Sequence, residues 1–236
     1  MQDNKKITAA ILVGGKGTRL RSVVSDKPKV LAEIDGRPFL AYLLDQLESN
    51  NVSEVVFCSG YMAETIEACF GEKYKSIAIK YSKEETPLDT GGALRLALPM
   101  FSSETILVMN GDSYVDTDLT VFVDSFSPKS QIAKMLLVHV GDVSRFGSVT
   151  IDNDSVIISF EEKGLHSGSG WINAGIYLFR KRMISEIPQD CFFSLERNFF
   201  PKLIGKGLLG FCTEGDFIDI GTPDSYNNAA IFFDNI

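Results

Sequence analysis

The stretch Leu12-Val-Gly-Gly-Lys-Gly-Thr-Arg-Leu20 sets three glycines and two cations directly behind an apolar run. Glycine lets a loop turn tightly and brings backbone N–H groups within reach of a polyanion. Residues 14–29 carry Lys16, Arg19, Arg21, Lys27 and Lys29 against the single acid Asp26, in a chain whose net charge is −8. Amides for close contact, an arginine fork and a lysine point charge are what a triphosphate requires. The loop is not a dinucleotide fingerprint, because Leu20 stands where a third glycine is needed. It is not a P-loop either, because no Gly-Lys-Ser/Thr occurs at the required spacing. A structural turn with a solvated basic face is the plainer alternative; Arg19, Lys29 and the local charge contrast favour phosphate binding.

Two carboxylates sit where a cation would be useful. Asp112 follows the apolar run Ile106–Met109 and Asn110-Gly111, and Asp219 lies in Phe217-Ile-Asp-Ile220 before a Gly-Thr-Pro turn. A carboxylate at the carboxyl end of a central strand points into the crevice of an open α/β sheet, where desolvation favours a positive partner. Mg²⁺ takes one or two carboxylates and completes its octahedron with water and substrate phosphates, which suits this pair. The chain has two histidines and four scattered cysteines without a C-x-x-C pair, so zinc and thioredoxin-like chemistry are poorly supported. Cys58 and Cys212 stand in apolar runs and are expected to be buried, unreactive thiols.

The elements that must position these residues follow from the apolar pattern. Ile7–Val13, Glu54–Ser59, Ile77–Tyr81 and Thr105–Asn110 read as buried strands. Phe39, Leu40, Leu43, Leu44 and Leu47 repeat at helical spacing behind Pro38, and Ala93–Leu98 is a further helix. Strand–helix–strand order with short connections predicts a parallel sheet covered on both faces. The second half is richer in strands: Ile132–Val140, Ser148–Ile151, Val156–Glu161, Trp171–Phe179, Leu208–Thr213 and Phe217–Ile220, with helices over Ser194–Ile204 and Ser225–Asp234. With no linker, low-complexity tract or internal repeat, residues 1–236 are expected to form one domain. The chain is 44% hydrophobic and 23% charged, as ordinary globular proteins are. Its negative charge argues against nucleic acid as a partner. No segment approaches the roughly 18–20 apolar residues that span a bilayer. Met1–Lys6 runs into a strand without a secretory apolar core, so the cytoplasm is the expected location.

Gly14-Gly-Lys-Gly-Thr-Arg-Leu20 followed by Lys27-Pro-Lys29 resembles the sugar-1-phosphate nucleotidyltransferases (nucleotide-sugar pyrophosphorylases). Further elements of that family recur in order along nearly the whole chain: Pro87-Leu-Asp-Thr-Gly-Gly92, Asn110-Gly-Asp112, Phe160-Glu-Glu-Lys163, Asn173-Ala-Gly-Ile-Tyr177 and Asp219-Ile-Gly-Thr-Pro223. The resemblance implies an α/β, Rossmann-like, mostly parallel mixed sheet with helices on both faces, the nucleotide-diphospho-sugar transferase fold. It implies Arg19 and Lys29 as catalytic groups on the triphosphate. Val13, Gly14, Gly15, Gly17, Thr18, Glu84, Thr90, Gly91 and Asp112 would bind the nucleotide. Gly147, Glu162, Lys163 and Asn173 would hold the sugar phosphate, and Asp112 and Asp219 would hold Mg²⁺. The reaction so implied is attack of a sugar-1-phosphate oxygen on the α-phosphorus of a nucleoside triphosphate, with pyrophosphate leaving. Because the nucleophile is already an anion, no general base is needed, and the absence of a Ser/His/Asp set is consistent with that.

Guanine presents two adjacent donors to a carboxylate, whereas uracil and thymine flank one donor with acceptors. Glu84 or Glu85 therefore favours GTP, with solvated loop charges the alternative. Asp89 departs from the family, which often carries glycine there. The compact length and the form Gly170-Trp-Ile-Asn-Ala-Gly175 are most similar to the D-glycero-α-D-manno-heptose 1-phosphate guanylyltransferases of surface-glycan pathways. Mannose-1-phosphate guanylyltransferases and uridylyltransferases remain competitors, as does a non-catalytic nucleotide-sugar-sensing subunit, although such a subunit is expected to lose Arg19, Lys29 or a metal aspartate. Trp171 fits the sugar pocket and the core equally. The apolar end Ala229–Phe233 is expected to cover the core, with a homo-oligomer interface the alternative.

Overall fold

The computed structural model describes residues 7–161, 164 and 167–236. Its first half contains β1 (Ile7–Leu12), a small hairpin of β2 (Glu33–Ile34) and β3 (Arg37–Pro38), α1 (Phe39–Ser49), β4 (Glu54–Ser59), α2 (Ala63–Phe70), β5 (Lys73–Tyr74), β6 (Ile77–Lys83), α3 (Asp89–Ala97) and β7 (Thr105–Asn110). There follow β8 (Ser113–Val115), α4 (Leu119–Asp124), β9 (Ala133–Val140), β10 (Ser148–Ile151), β11 (Ile157–Glu161), β12 (Gly170–Arg180) and α5 (Lys181–Ser185). A π-helical turn (Leu195–Phe199) runs into α6 (Phe200–Leu203), before β13 (Leu208–Thr213), β14 (Phe217–Asp219), α7 (Pro223–Asn227) and α8 (Ala229–Asp234).

Parallel β7, β1, β4 and β6 form the centre of a ten-stranded sheet of order β11-β10-β12-β7-β1-β4-β6-β5. Both faces are covered, as a parallel sheet requires. Ile11, Phe57 and Met109 point into one core, while Ala10, Val56 and Val108 point into the other. β12 turns the sheet mixed: it runs antiparallel to β7 on one side and to β9 on the other, and β13 adds to β9 in parallel.

The sheet opens where β12 parts from β7. Their pairing begins at Ile176 opposite Met109, while earlier residues of β12 pair instead with β10, Ile172 opposite Ser148. The register against β9 slips between Asn173 and Tyr177, the signature of a bulge, which bends the strand at that point. Gly175 lies inside the bulge at φ +78°, and a β-carbon there would stand 2.6 Å from Asn110 Nδ2.

The expected strands are all present, with ends shifted by a residue or two. The helix expected over Ser194–Ile204 is instead a π-helical turn followed by a short α-helix. Pro201 cannot donate to the ladder of the preceding turn, and the Ser194 hydroxyl accepts from Arg197 N at 3.2 Å. The helix expected over Ser225–Asp234 is two helices meeting at Asn228. Cys58 is buried as expected, but Cys212 is exposed, because β13 pairs with β9 alone and stands at an edge of the sheet among the described strands. Trp171 packs against the core and edge-on to His139, ring centres 5.2 Å apart. The apolar carboxyl end covers the core: Phe233 stacks on Tyr42 at 4.0 Å, and Ala229 is fully buried.

Gly175→Ala is expected to lower unfolding free energy by about 2–4 kcal/mol, from left-handed backbone strain and the clash with Asn110. Urea unfolding measures this directly, and a loss below about 0.5 kcal/mol would contradict the tight bulge.

Candidate active site

A cleft of about 640 Å³ opens at the carboxyl ends of β1, β4 and β7, where an open α/β sheet places its ligand. The glycine loop forms one wall with Val13, Gly14, Gly15, Lys16 and Gly17. Lys29, Asn110 and Asp112 line it as well, with Glu84, Glu85, Pro87, Asp89 and Thr90.

Close approach of three segments builds the centre. Gly111 N donates to Leu12 O at 3.0 Å, and a β-carbon at position 111 would come within 2.8 Å of that oxygen and 3.0 Å of Val30 Cγ1. Gly17, at φ +58°, lets the Lys29 side chain pack on its Cα, where a β-carbon would stand 2.9 Å from Lys29 Cβ. Lys29 opens a short 3-10 turn whose Val30 and Leu31 are buried, so its backbone is anchored in the core. Its side chain is 13% exposed, and the ammonium forms an ion pair with the carboxylate of Asp112.

The tertiary fold also joins the two expected metal aspartates. β14 pairs with β8, placing Asp219 opposite Ser113, and Ile220 N donates to Asp112 O at 2.9 Å. Asp219 Oδ1 accepts from Ser225 Oγ at 3.2 Å and from Gly221 N at 3.3 Å. Asp112 lines the cleft and Asp219 is joined to its backbone, and two carboxylates are a donor set that fits Mg²⁺, which draws its remaining ligands from water and phosphate. Among the described residues no cluster of three His, Cys, Asp or Glu side chains forms a closed protein cage.

Other expected residues fall in different places. Thr18 and Arg19 are exposed and lie outside the lining of the cleft. Arg19 turns toward Asp219: a β-carbon on Gly221 would sit 3.5 Å from Arg19 Nη2 and 3.6 Å from both Asp219 oxygens. Thr90 lines the cleft, yet its hydroxyl donates to Glu196 Oε2 at 2.9 Å and accepts from Leu195 N at 2.8 Å. Gly91 is buried beneath the cleft, with its N–H given to Phe193 O at 2.8 Å. Gly147 begins the loop edge of β10, where a β-carbon would meet Glu161 O at 2.9 Å. Glu162 and Lys163 lie outside the described residues.

Asn173 sits at the bulge of β12. Its Nδ2 donates to the Tyr177 hydroxyl at 2.8 Å and its Oδ1 accepts from Gly175 N at 2.9 Å. Tyr177 is fully buried, and burial raises its pKa well above the ordinary phenol value. Gly175 of the same bulge packs against Asn110 in the floor of the cleft.

Asp89 has φ +61°, a backbone conformation that explains why glycine is common at this position. Its short carboxylate offsets the strain locally by accepting from Thr90 N at 2.7 Å and pairing with Arg197 at 2.6 Å. Glu84 Oε2 accepts from Leu88 N at 3.1 Å, while its Oε1 stands 3.0 Å from the β-carbon position of Gly14. Burial, and secondarily the charge of Asp89, raise the Glu84 pKa, against the opposing effect of the Leu88 amide. Cys58 touches the cleft, but burial pushes its thiol up to about 12, which keeps it protonated and inert.

Sequence reasoning missed Tyr61, Phe192 and Arg145. Tyr61 and Phe192 line the cleft, and Arg145 Nη2 lies 3.2 Å from Thr222 Oγ1 and 3.9 Å from Asp219 Oδ1. No local pattern marks the first two; Arg145 was detectable as a cation two residues before Gly147.

The raised Glu84 pKa has a defined sign. Ionising Glu84 costs the folded state more than the unfolded one, so this group opposes folding above its folded pKa and ceases to do so below its unfolded pKa. Glu84→Gln is therefore expected to melt at the same temperature or slightly higher at pH 7, with the difference shrinking toward pH 4. A variant markedly less stable at pH 7 would contradict this reading.

A family model described as Nucleotidyl transferase matches residues 8–235. D-glycero-alpha-D-manno-heptose 1-phosphate guanylyltransferase of Aneurinibacillus thermoaerophilus is 41% identical over 94% of this chain and 96% of its own length. The enzyme of the same name from Campylobacter jejuni is 37% identical over 92% of this chain and 96% of its own. The crystal structure of HddC from Yersinia pseudotuberculosis complexed with GMP-PN superposes with a TM-score of 0.84 at 36% identity, covering 96% of this chain and 99% of that one. With the glycine loop and the Lys29–Asp112 pair in one crevice, and this match along nearly its full length, the chain belongs to the nucleotidyl transferase family.

Proposed function

We propose that this protein transfers GMP from GTP to D-glycero-α-D-manno-heptose 1-phosphate, giving the GDP-heptose and pyrophosphate for surface-glycan biosynthesis in the cytoplasm. The observation that carries the reading is the convergence of the glycine loop, Lys29 with Asp112, and the Glu84 segment on a single cleft. It is supported by two full-length relatives named for that reaction.

In this reaction a bond forms between a sugar-phosphate oxygen and the α-phosphorus, the α–β bridging bond breaks, and pyrophosphate leaves with the electron pair. Two anions must be brought together in line, so the protein's task is charge neutralisation and alignment rather than proton transfer. Backbone amides of Gly14, Gly15 and Gly17 would cradle the phosphates beside Val13, and Lys29 and Arg19 would neutralise the charge that develops on the leaving group. Lys163 would hold the incoming sugar phosphate, while Gly147, Glu162 and Asn173 contact the sugar; Asn173 supplies both donor and acceptor capacity. Asp112 and Asp219 would hold Mg²⁺, which when bound screens the repulsion between the two phosphates. Glu84 would read the N1–H and 2-amino donors of guanine, and ligand hydrogen bonds would then repay the cost of ionising it.

Pyrophosphate release with Mg²⁺ is expected for GTP with the manno-heptose 1-phosphate, and to be much slower with UTP or with hexose 1-phosphates. Turnover confined to another pair would discard the base and sugar assignment. Asp112→Ala and Asp219→Ala should each lower kcat at least about 100-fold with the fold intact. Near-normal rates would refute the metal assignment. Lys163→Ala should raise the KM for sugar phosphate about tenfold or more while leaving GTP affinity unchanged.

A further inference from the structure

Phe192 is 64% exposed, although most phenylalanines of this chain are buried, and it lines the nucleotide cleft together with Glu85, Asp89 and Thr90. Its backbone is rigidly held. Phe193 N donates to Leu88 O at 2.9 Å, and the Gly91 and Gly92 amides both donate to Phe193 O, at 2.8 and 3.0 Å. Leu195 N is fixed by the Thr90 hydroxyl at 2.8 Å. Glycine is required for this bolt, because a β-carbon on Gly91 would lie 2.8 Å from Phe193 Cδ1. An apolar ring projecting into water from so fixed a backbone gains nothing in the folded protein alone.

The ring also has a backing. The Arg197 guanidinium lies 6.0 Å from its centre, and Arg197 is itself paired with Asp89 at 2.6 Å. Asp89, in its left-handed conformation, thus orients a cation that packs against the aromatic residue at the mouth of the same cleft. A flat apolar face at the entrance of a nucleotide cleft suits the π-face of a nucleobase. Stacking accepts every base and purines best, leaving discrimination to groups at the base edge.

We infer that Phe192 is the platform on which the nucleobase stacks, held in place by Arg197 and Asp89; this rests on the nucleotidyltransferase reading above. The residue then supplies affinity for the nucleotide without contributing to the phosphoryl chemistry. It also explains why the 191–197 segment is fastened to the start of α3 rather than left as a free loop.

Calorimetric GTP binding without sugar phosphate, together with steady-state kinetics, tests the inference on the whole protein. Phe192→Ala is expected to raise Kd and KM for GTP about tenfold. Its kcat, its KM for sugar phosphate and its melting temperature should stay at the wild-type values. Phe192→Trp should restore affinity, and GTP should quench its emission beyond any response of the wild type, which contains one tryptophan. Arg197→Ala should weaken GTP binding severalfold in the wild-type background and add little to Phe192→Ala. GTP affinity of Phe192→Ala within twofold of wild type would overturn the inference, as would unresponsive emission from Phe192→Trp. If the wild type uses another nucleoside triphosphate, the same series run with that nucleotide still decides the role of Phe192. A wild type that binds no nucleoside triphosphate would overturn the underlying reading as well.

Discussion

The Lys29–Asp112 ion pair can form only because three chain segments cross at less than ordinary side-chain distance. The end of β7, the glycine loop after β1 and the turn at Lys29 meet there, and Gly17 and Gly111 are the points of contact. Any β-carbon at either position would push the ammonium away from the carboxylate or split β7 from the carbonyl of Leu12. A partly buried ammonium and carboxylate each need a partner of opposite charge, and the pair supplies one to both. Lys29 is thereby held at the carboxyl end of β7, where the cleft opens.

The second constraint is the departure of β12 from β7. A strand that paired with β7 along its whole length would close the crevice; the bulge at Asn173–Tyr177 bends it aside and creates a second wall. Bending a buried strand leaves polar groups to satisfy, and the Asn173 side chain meets part of that need by donating to the buried Tyr177 hydroxyl and accepting from Gly175 N. Gly175 in the bulge packs against Asn110 at the end of β7, so the two walls meet there. Asp219 reaches the same point from the far end of the chain, through the β8–β14 pairing.

Around Glu84 and Asp89, the wall is held by hydrogen bonds between distant segments rather than by packing alone. Thr90 joins Glu196 and Leu195, and Asp89 joins Arg197. Sequence motifs presented Thr90 and Gly91 as ligand contacts, whereas the fold gives their polar groups to the 193–196 segment. Such residues serve the site by fixing the loop that Glu84 and Asp89 share.

The sequence by itself determined the parallel sheet, the glycine loop and the carboxylates at strand ends, because these depend on local patterns: apolar runs of strand length, glycine spacing and charge contrast over a few residues. The sheet order, the bulge of β12 and the proximity of Asp112 to Asp219 depend on pairings between remote segments, which no local pattern encodes. The same holds for Phe192, whose surroundings in sequence resemble a core segment. Its neighbour Phe193 is buried under Gly91 while Phe192 faces the cleft, and only the hydrogen bonds that bind this segment to α3 decide which of the two rings points outward.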